Sequence, residues 1–384
     1  MKQKTILHFI KAESGDCFLI EPPDKKCILI DSGYKSTYFY ELKPLLLELS
    51  SKGCRISLFV ITHIDEDHIG GAISLLSENG DCNNPQIIPI DNIWFNGILS
   101  IFLNSSQLYN HLFEHLSNED NKKIKEITLQ LSKLIRVGEG PISANLSEAF
   151  EIICKKNHYN LNFGKGNCIL TDDSMNIGSC FVKVLSPSNK YIQKFEKWID
   201  KNCIDCLNKN YKLDKNKSAD FLEKLIMVTG KEDNGTNGSS EIASKIPDIE
   251  EWFGTSTKSP MNDVNRASIV IEIDCLGKKL LFMGDSESED WISKAQKYYD
   301  YVKISHHGTY KANKVLLDSI SIDSAIISTN GKRNHPEDEL LAKIIKSGVK
   351  NIYFNYDIRR KDNIIALQEK FCFKSYFGIK RILF

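Results

Sequence analysis

The sequence predicts a mixed α/β (α+β) fold in which two strand-rich regions flank insertions that are mostly helix and loop. Three observations carry that reading. Short apolar runs bounded by turn formers fill the N-terminal part of the 384 residues, the same pattern returns strongly from Ala267, and the polar stretches between them show helical spacing or turn chemistry. A 41% hydrophobic fraction is enough for a sizeable core. Lysine plus arginine (50) balance aspartate plus glutamate (50), so no overall field draws the chain to nucleic acid or an anionic membrane, and any polyanion contact must be local. The opening "MKQKTILHFIKAESGDCFLI" has too short an apolar core for a signal peptide, and no run reaches the roughly 18 residues of a membrane span. The expectation is a soluble, cytoplasmic protein with no membrane partner. Eleven cysteines, scattered singly except for Cys203 and Cys206, suggest reduced thiols packed as small apolar residues, and "CIDC" alone suggests an incidental pair.

In chain order, "KTILHFIKA", "CFLIEP" and "KCILIDSG" read as strands separated by Gly15-Asp16 and by Pro22-Pro23-Asp24. Tyr40 to Ser50 has helical spacing, with Pro44 in its first turn, and leads into a strand from Ile56 to Ile61. Ala72 to Leu76 reads as a short helix and "NIWFNG" as a strand. From about Ile98 to His158 the chain is helical and polar, with amphipathic repeats in "LYNHLFEHL" and "IKEITLQLSKLI". Strands resume at Cys180 to Leu185, and a second polar block runs from about Asn189 to Asn262, with "KEDNGTNGSSE" as a turn-rich surface loop. "SIVIEID", "KLLFMGD", "YVKISHHG" and "SAIISTNG" are the later strands, with helices near Lys314 to Ile320 and from Pro336 to Ser347. The organisation expected is one domain over 1–384, with insertions at about 98–178 and 189–262.

The chemistry concentrates in "THIDEDHIGG", Thr62 to Gly71, which places two histidines and three carboxylates directly after the apolar run "SLFVI". A histidine followed at +2, +4 and +5 by Asp65, Asp67 and His68 puts four metal-capable side chains on one tight turn. Residues 67 and 68 point different ways, so the turn can serve two ions, and Gly70-Gly71 let the backbone enter a helix without a Cβ clash. Uncompensated burial of this much charge would cost several kcal/mol per ion, and a divalent pair removes the difficulty. Asp31, His63, Asp285, His306 and His335 each stand at or just beyond the carboxyl end of a strand pattern, where loops can gather side chains into one cleft. Asp285 suits a bridging carboxylate, because its oxygens can contact two ions about 3.5–4 Å apart; the N-cap of "ESEDWISKAQ" is a compatible second role. His111 and His115, four apart on an amphipathic helix, read as a solvated face.

"THIDEDHIGG" resembles the signature of the metallo-β-lactamase superfamily, H-x-H-x-D-H, with Asp65 where the second histidine normally stands. That departure is similar to the branch containing the C-terminal domain of the competence protein ComEC, and further matches follow in order. "HFIKAESGDCFLI" is similar to its opening strand and Gly-Asp-Ser element, with Cys17 replacing serine, and "ILIDSG" to its next strand. "NRASIVIEI" resembles its Asn-x-x-Ser strand, "LLFMGDSE" its Gly-Asp strand end, "VKISHHGT" its His-His-Gly-Ser turn and "NGKRNHP" its final His-Pro. The resemblance covers about 1 to 95 and 262 to 340. It implies an αββα sandwich of two facing mixed sheets with outer helices and a metal site along one edge.

The expected ligands are His63, Asp65, Asp67, His68, Asp285, His306 and His335. From a regular strand His306 and His307 cannot both face the cleft, so one ligates and the other contacts substrate or a ligand; with His306 taken as ligand, His307 joins Asp67 as a catalytic candidate. Asp31, Asn265, Ser268 and Lys303 stand behind the ligands or against substrate, with Lys303 placed to protonate or hold a leaving group. Asp65 makes the site more oxygen-rich than that of the zinc lactamases, which shifts preference toward manganese or iron while keeping zinc, so the cofactor expected is two divalent ions, Zn or Mn. The chemistry expected is hydrolysis by a bridging hydroxide on those ions, with no protein nucleophile. The substrate expected is a phosphodiester, foremost nucleic acid; the rival readings are a small phosphodiester, ester or lactone, and a partner-binding effector subunit of a multiprotein system. Local basic clusters stand at "NKNYKLDKNK", which is placed to act as a substrate lid, and at "DIRRKDN".

Overall fold

The computed structural model describes residues 4–103, 141–162, 164, 168–199, 248–256 and 261–384. "CIDC", "NKNYKLDKNK", "KEDNGTNGSSE", "LYNHLFEHL" with His111 and His115, and "IKEITLQLSKLI" lie outside the described residues. Among the described residues no helix is long and apolar enough to cross a membrane.

The first five strands are β1 (Ile6–Phe9), β2 (Phe18–Glu21), β3 (Lys26–Ile30), β4 (Arg55–Ile61) and β5 (Ile93–Phe95). Their apolar residues alternate between two destinations, as a strand with both faces covered requires. Phe18, Ile20, Ile28, Ile30, Leu58 and Val60 join one core, whereas Leu19, Leu29, Phe59 and Ile61 join another. The first of these cores also takes Val182, Ile271, Ile273, Leu280, Phe282 and Ile326 from later strands. Those strands are β6 (Ser174–Ile177), β7 (Cys180–Ser186), β8 (Val270–Cys275), β9 (Lys278–Phe282), β10 (Tyr298–Lys303), β11 (Ser321–Ile327), β12 (Asn351–Phe354) and β13 (Lys374–Tyr376), followed by β14 (Arg381–Leu383). They make a six-stranded sheet, β14-β1-β2-β3-β4-β5, and an eight-stranded one, β13-β12-β11-β10-β9-β8-β7-β6. The shared core shows the two sheets packed face to face.

Helices cover the outer faces. Against the first sheet lie α1 (Lys43–Ser51), α2 (Glu66–Asn79), α3 (Ile98–Leu103), α4 (Pro141–Lys156) and α5 (Asn189–Ile199), which contribute Leu46, Leu75, Ile101, Phe150 and Phe195 to its core. After the single turn α6 (Asp263–Arg266), α7 (Tyr310–Ser319), α8 (Asp338–Lys346) and α9 (Lys361–Phe371) cover the second sheet through Leu316, Leu340, Ile344 and Leu367. The result is the αββα sandwich. Within each sheet the site-bearing strands run parallel: β3 with β4 and β5, and β9 with β10, β11 and β12. Parallel strands put their carboxyl ends on one edge, and the bond from the Ile269 N–H to the Thr62 carbonyl (2.8 Å) fastens the two sheets there.

Several elements differ from their sequence expectation for identifiable reasons. The helix after β4 begins at Glu66 rather than Ala72, so the charged segment is the first turn of α2, where Glu66 and Asp67 complement the helix dipole. Gly71 belongs to that helix because a Cβ there would stand 2.3 Å from the Ser32 carbonyl oxygen. Pro336 precedes α8 instead of opening it, since Glu337 holds the N-cap position. Parts of both insertions are core: α4 and α5 bury Phe150 and Phe195, and β6 extends the second sheet. One pair departs from the reduced-thiol expectation: Cys180 and Cys275 face each other across β7 and β8 as a disulfide, whereas Cys17, Cys27, Cys54, Cys154 and Cys168 are buried outside any disulfide. The short strands β12, β13 and β14 stand beyond the strands expected from the sequence; β14 returns to pair with β1, completing the first sheet from the far end of the chain.

Gly284 marks a close approach of the sheets. It has φ +49°, and a Cβ would lie 2.8 Å from Thr62 Cβ and 3.2 Å from Ser268 Cβ. Gly284→Ala should therefore destabilise the protein by at least about 1–2 kcal/mol, the cost of a left-handed non-glycine backbone, read as a lower urea midpoint. An unchanged midpoint would contradict this account of the sheet contact.

Candidate metal centre

A dense group of buried charge lies on the edge where the strand ends meet. Asp31, with φ +54°, follows β3 and is buried. Its carboxylate accepts the Thr62 N–H at 2.7 Å and the Thr62 hydroxyl at 2.8 Å, and Oδ2 lies 2.8 Å from His68 Nδ1. The carboxylate is an acceptor, so His68 Nδ1 carries the proton on that side and Nε2 faces inward. The Thr62 hydroxyl has its hydrogen committed to Asp31, and His63 Nδ1, 3.0 Å away, therefore donates to Thr62 Oγ1. His307 Nδ1 donates to the Ser328 carbonyl at 3.2 Å. One rule thus operates three times: Nδ1 is anchored and Nε2 is presented to the interior.

Those three Nε2 atoms, with Asp285 Oδ1, are buried and have no hydrogen-bond partner. They converge. His68 Nε2 is 3.5 Å from Asp285 Oδ1, and His307 Nε2 is 3.4 Å from both Asp285 Oδ2 and Asp67 Oδ2. His63, His68 and Asp285 form one group with ligand atoms mutually within 4.8 Å, and Asp67, His68 and His307 form an adjoining one. Buried polar atoms without partners are rare because each forfeits its hydration, and a set of imidazole and carboxylate donors this close is the donor chemistry of a divalent cation. The residues therefore fit a divalent metal ion.

The other candidates stand around this nucleus. Asp65, at the N-cap position of α2, has its carboxylate 3.6 Å from His63 Nε2 and a third of its side chain exposed. Residues 306 and 307 have left the strand and adopt φ +51° and +54°, so both rings reach Asp285 Oδ2, at 3.8 and 3.4 Å. The regular-strand geometry that would have sent one of them away does not apply here. The His335 ring lies 6.0 Å from that of His306, with a buried, unpartnered Nδ1. Asn265, on α6, brings Nδ2 to 3.5 Å from His306 Nε2 while its buried Oδ1 lacks a partner. Ser268 Oγ accepts the Asp285 N–H at 3.4 Å. Lys303 is buried, donates to the Gly284 carbonyl at 2.9 Å and is ion-paired with Asp16.

Asp16 is the residue that sequence reasoning missed. It read as a turn former, yet its side chain is buried within 3.9 Å of His68 Nδ1 and 3.8 Å of His307 Nδ1. Its signal was the one that exposes Asp31: an acid in a turn against a wholly apolar strand, here "SGDCFLI". Thr62 and Ser328, which orient the rings, carried no signal separable from ordinary strand ends.

The electrostatics follow from these distances. Burial alone would lower the His68 pKa, but Asp285 and Asp31 override it and hold the imidazole well above its usual range. For His307 burial is likewise overridden, by Asp285 and Asp67, to about 10. Burial would raise Asp285, yet His307, His68 and His306 hold it well below the usual carboxylate range, and His307 and His68 do the same for Asp67. His335 has no such compensation: burial, with His307 and His306 adding repulsion, lowers it to about 4. Imidazoles and carboxylates thus favour each other's charged forms at the centre, and a cation would take over the role of the protons it displaces.

Asp31→Asn should weaken divalent-metal binding by about 10- to 100-fold, the usual effect of loosening a group behind a ligand, because the amide removes the charge that holds the His68 ring. Chelator competition on the purified full chain measures it, and parent-like affinity would show that the His68 ring is fixed by something else.

A sequence profile described as the metallo-beta-lactamase superfamily matches residues 10–82, and no curated protein sequence matches the chain. Among solved structures, the metallo-beta-lactamase fold protein YhfI from Bacillus subtilis aligns over 99% of both chains at 7% identity with a TM-score of 0.39. A mutant of CmlA beta-hydroxylase aligns at 8% identity and a TM-score of 0.39, over 99% of this chain and 53% of its own. The matched residues 10–82 are similar to that superfamily and are the ones that supply Asp16, Asp31, His63, Asp65, Asp67 and His68 to the two-sheet sandwich.

Proposed function

We propose that this chain is a metal-dependent hydrolase of phosphodiesters, with nucleic acid as the foremost substrate class. The observation that carries the reading is the set of buried, unpartnered atoms, Nε2 of His63, His68 and His307 and Oδ1 of Asp285, aimed into one space. The holders of two divalent ions, Zn or Mn, would be His63, Asp65, Asp67, His68, Asp285, His306 and His335. When bound, the pair would supply Lewis acidity, which acidifies water near neutral pH and neutralises charge developing at phosphorus.

The chain's own residues have separate tasks. Asp31 and Thr62 keep the His68 and His63 rings turned, so no reorientation is needed during reaction. Asp67 and His307, 3.4 Å apart from Oδ2 to Nε2, form a carboxylate-imidazole pair that can hold or pass a proton at those atoms. Asn265, whose Oδ1 is unpartnered, can orient a substrate group beside His306. Lys303 does not fit the role of leaving-group acid, because its ammonium is spent on Asp16 and the Gly284 carbonyl.

A second reading, hydrolysis of a small phosphodiester, ester or lactone, is favoured by the state of "DIRRKDN". Arg359 and Arg360 both pair with Asp338, at 3.3 and 2.5 Å, and Lys361 pairs with Asp357 at 3.0 Å. That cluster is neutralised internally and offers a polyanion little net charge.

Metal-loaded protein should be assayed on single-stranded DNA, plasmid, RNA, bis-p-nitrophenyl phosphate and a lactone panel. Cleavage of the polymers supports the first reading and turnover of only the small substrates the second. Asp67→Ala should lower kcat by about 100-fold or more, the scale of a lost general base or acid; turnover retained in that variant would remove Asp67 from the chemistry, and silence across the panel with metal fully bound would sink the hydrolase reading.

A further inference from the structure

Lys303 is only 1% exposed, and its Nζ reaches three groups that belong to two parts of the fold. It is ion-paired with Asp16, donates to the Gly284 carbonyl at 2.9 Å, and lies 3.7 Å from Asp285 Oδ1. Asp16 belongs to the loop between β1 and β2 in the first sheet. Its N–H donates to the Asp67 carbonyl at 3.1 Å, and its own carbonyl accepts the Gly33 N–H at 2.8 Å. Gly284 and Asp285 follow β9 in the second sheet. The ion pair therefore spans the junction of the sheets, with one end on the backbone that carries Asp67 and the other on the backbone that carries Asp285.

Charge balance alone would not require this placement. Net charge can be adjusted from several positions, whereas here two of the three ammonium hydrogens have acceptors on opposite sheets. The distance to Asp285 Oδ1 is too long for a hydrogen bond, so the carboxylate is attracted without being consumed. That oxygen remains among the buried atoms without a partner. A direct hydrogen bond from Lys303 would have occupied one of that oxygen's two lone pairs and competed with an ion for it.

We propose that the Asp16–Lys303 pair is a positioning element for the cation site, a strut between the sheets that sets the separation of Asp67 from Asp285 and leaves Asp285 Oδ1 open to a metal ion. The inference rests on the metal-dependent reading given above. Lys303 is a positioning residue in this account, since it acts through Asp285 and touches neither substrate nor reacting atoms. Breaking one half of such a pair leaves a buried charge uncompensated, whereas removing both halves together is far better tolerated.

That asymmetry supplies the test. The double substitution Asp16→Asn with Lys303→Met deletes one negative and one positive charge, so net charge at the site is unchanged while the strut is lost, and Lys303→Met alone, which keeps the buried Asp16 Oδ1, separates loss of the strut from loss of that donor oxygen. Mn2+ alone is the probe, bound to the full chain and measured by chelator competition and by elemental analysis after gel filtration, beside thermal unfolding of the metal-free protein. The double variant should bind Mn2+ about 10- to 100-fold more weakly than the parent, with fewer ions retained per chain. Lys303→Met alone separates geometry from charge, because losing a cation near Asp285 would by Coulomb attraction tighten Mn2+ binding, and positioning expects it to weaken. Parent-like or tighter binding in either variant overturns the proposal. So does a double variant that is unfolded without metal and is not refolded by Mn2+, since the pair is then an element of the fold alone. A parent chain that takes up no divalent ion is a separate failure, seen before any variant is compared, and it removes the metal-dependent reading itself.

Discussion

The structure is organised around buried negative charge. Asp16, Asp31 and Asp285 are each at least nine-tenths buried, and Asp67 lies beside them, all at the junction of two sheets. An isolated buried carboxylate costs several kcal/mol, so every neighbouring element is constrained to answer one. Asp31 is answered by the Thr62 N–H and hydroxyl and by His68, Asp16 by Lys303, and Asp285 and Asp67 by the imidazoles of His68 and His307. The sheets could not approach as they do at Gly284 if this charge were unmatched.

The same matching explains why the site is preorganised. A histidine whose Nδ1 is committed to Asp31, Thr62 or the Ser328 carbonyl has lost its ring freedom, and its remaining nitrogen faces one direction. The left-handed backbone at His306 and His307 does related work, since it takes two successive side chains out of strand alternation and lets both reach Asp285. Such conformations cost of order 1–3 kcal/mol each and persist where the surroundings over-determine them.

The described start of the second insertion, α5, is tied to this edge rather than hung from it. Tyr191, on α5, is hydrogen-bonded to Asp290, and Arg266 pairs with Asp290 and lies 3.3 Å from Glu287 while its guanidinium stacks 5.3 Å from the Tyr191 ring. Arg266 follows Asn265, so the segment that brings Asn265 to His306 is held both to α5 and to the turn after Asp285. The acidic group Glu287, Glu289 and Asp290 is thereby explained as the partner of an arginine.

What was legible in the sequence was local. Strand alternation, the turn formers and the density of ligand-type side chains in "THIDEDHIGG" depend on neighbours a few residues away, and they were enough for the fold class and for His63, Asp67, His68 and Asp285 as residues that would meet. The start of α2 was misplaced because the preference of paired glycines for turns was overridden by close packing on Ser32, a contact with another loop. Asp16 went unrecognised, and Lys303 was turned toward a leaving group, because their partnership joins a turn near the amino terminus to a strand of the other sheet. Residue type and short spacing determined which groups are able to bind a cation; sheet order and register, which no short stretch encodes, decided which of them touch, which ring nitrogen faces inward and which charge is already neutralised.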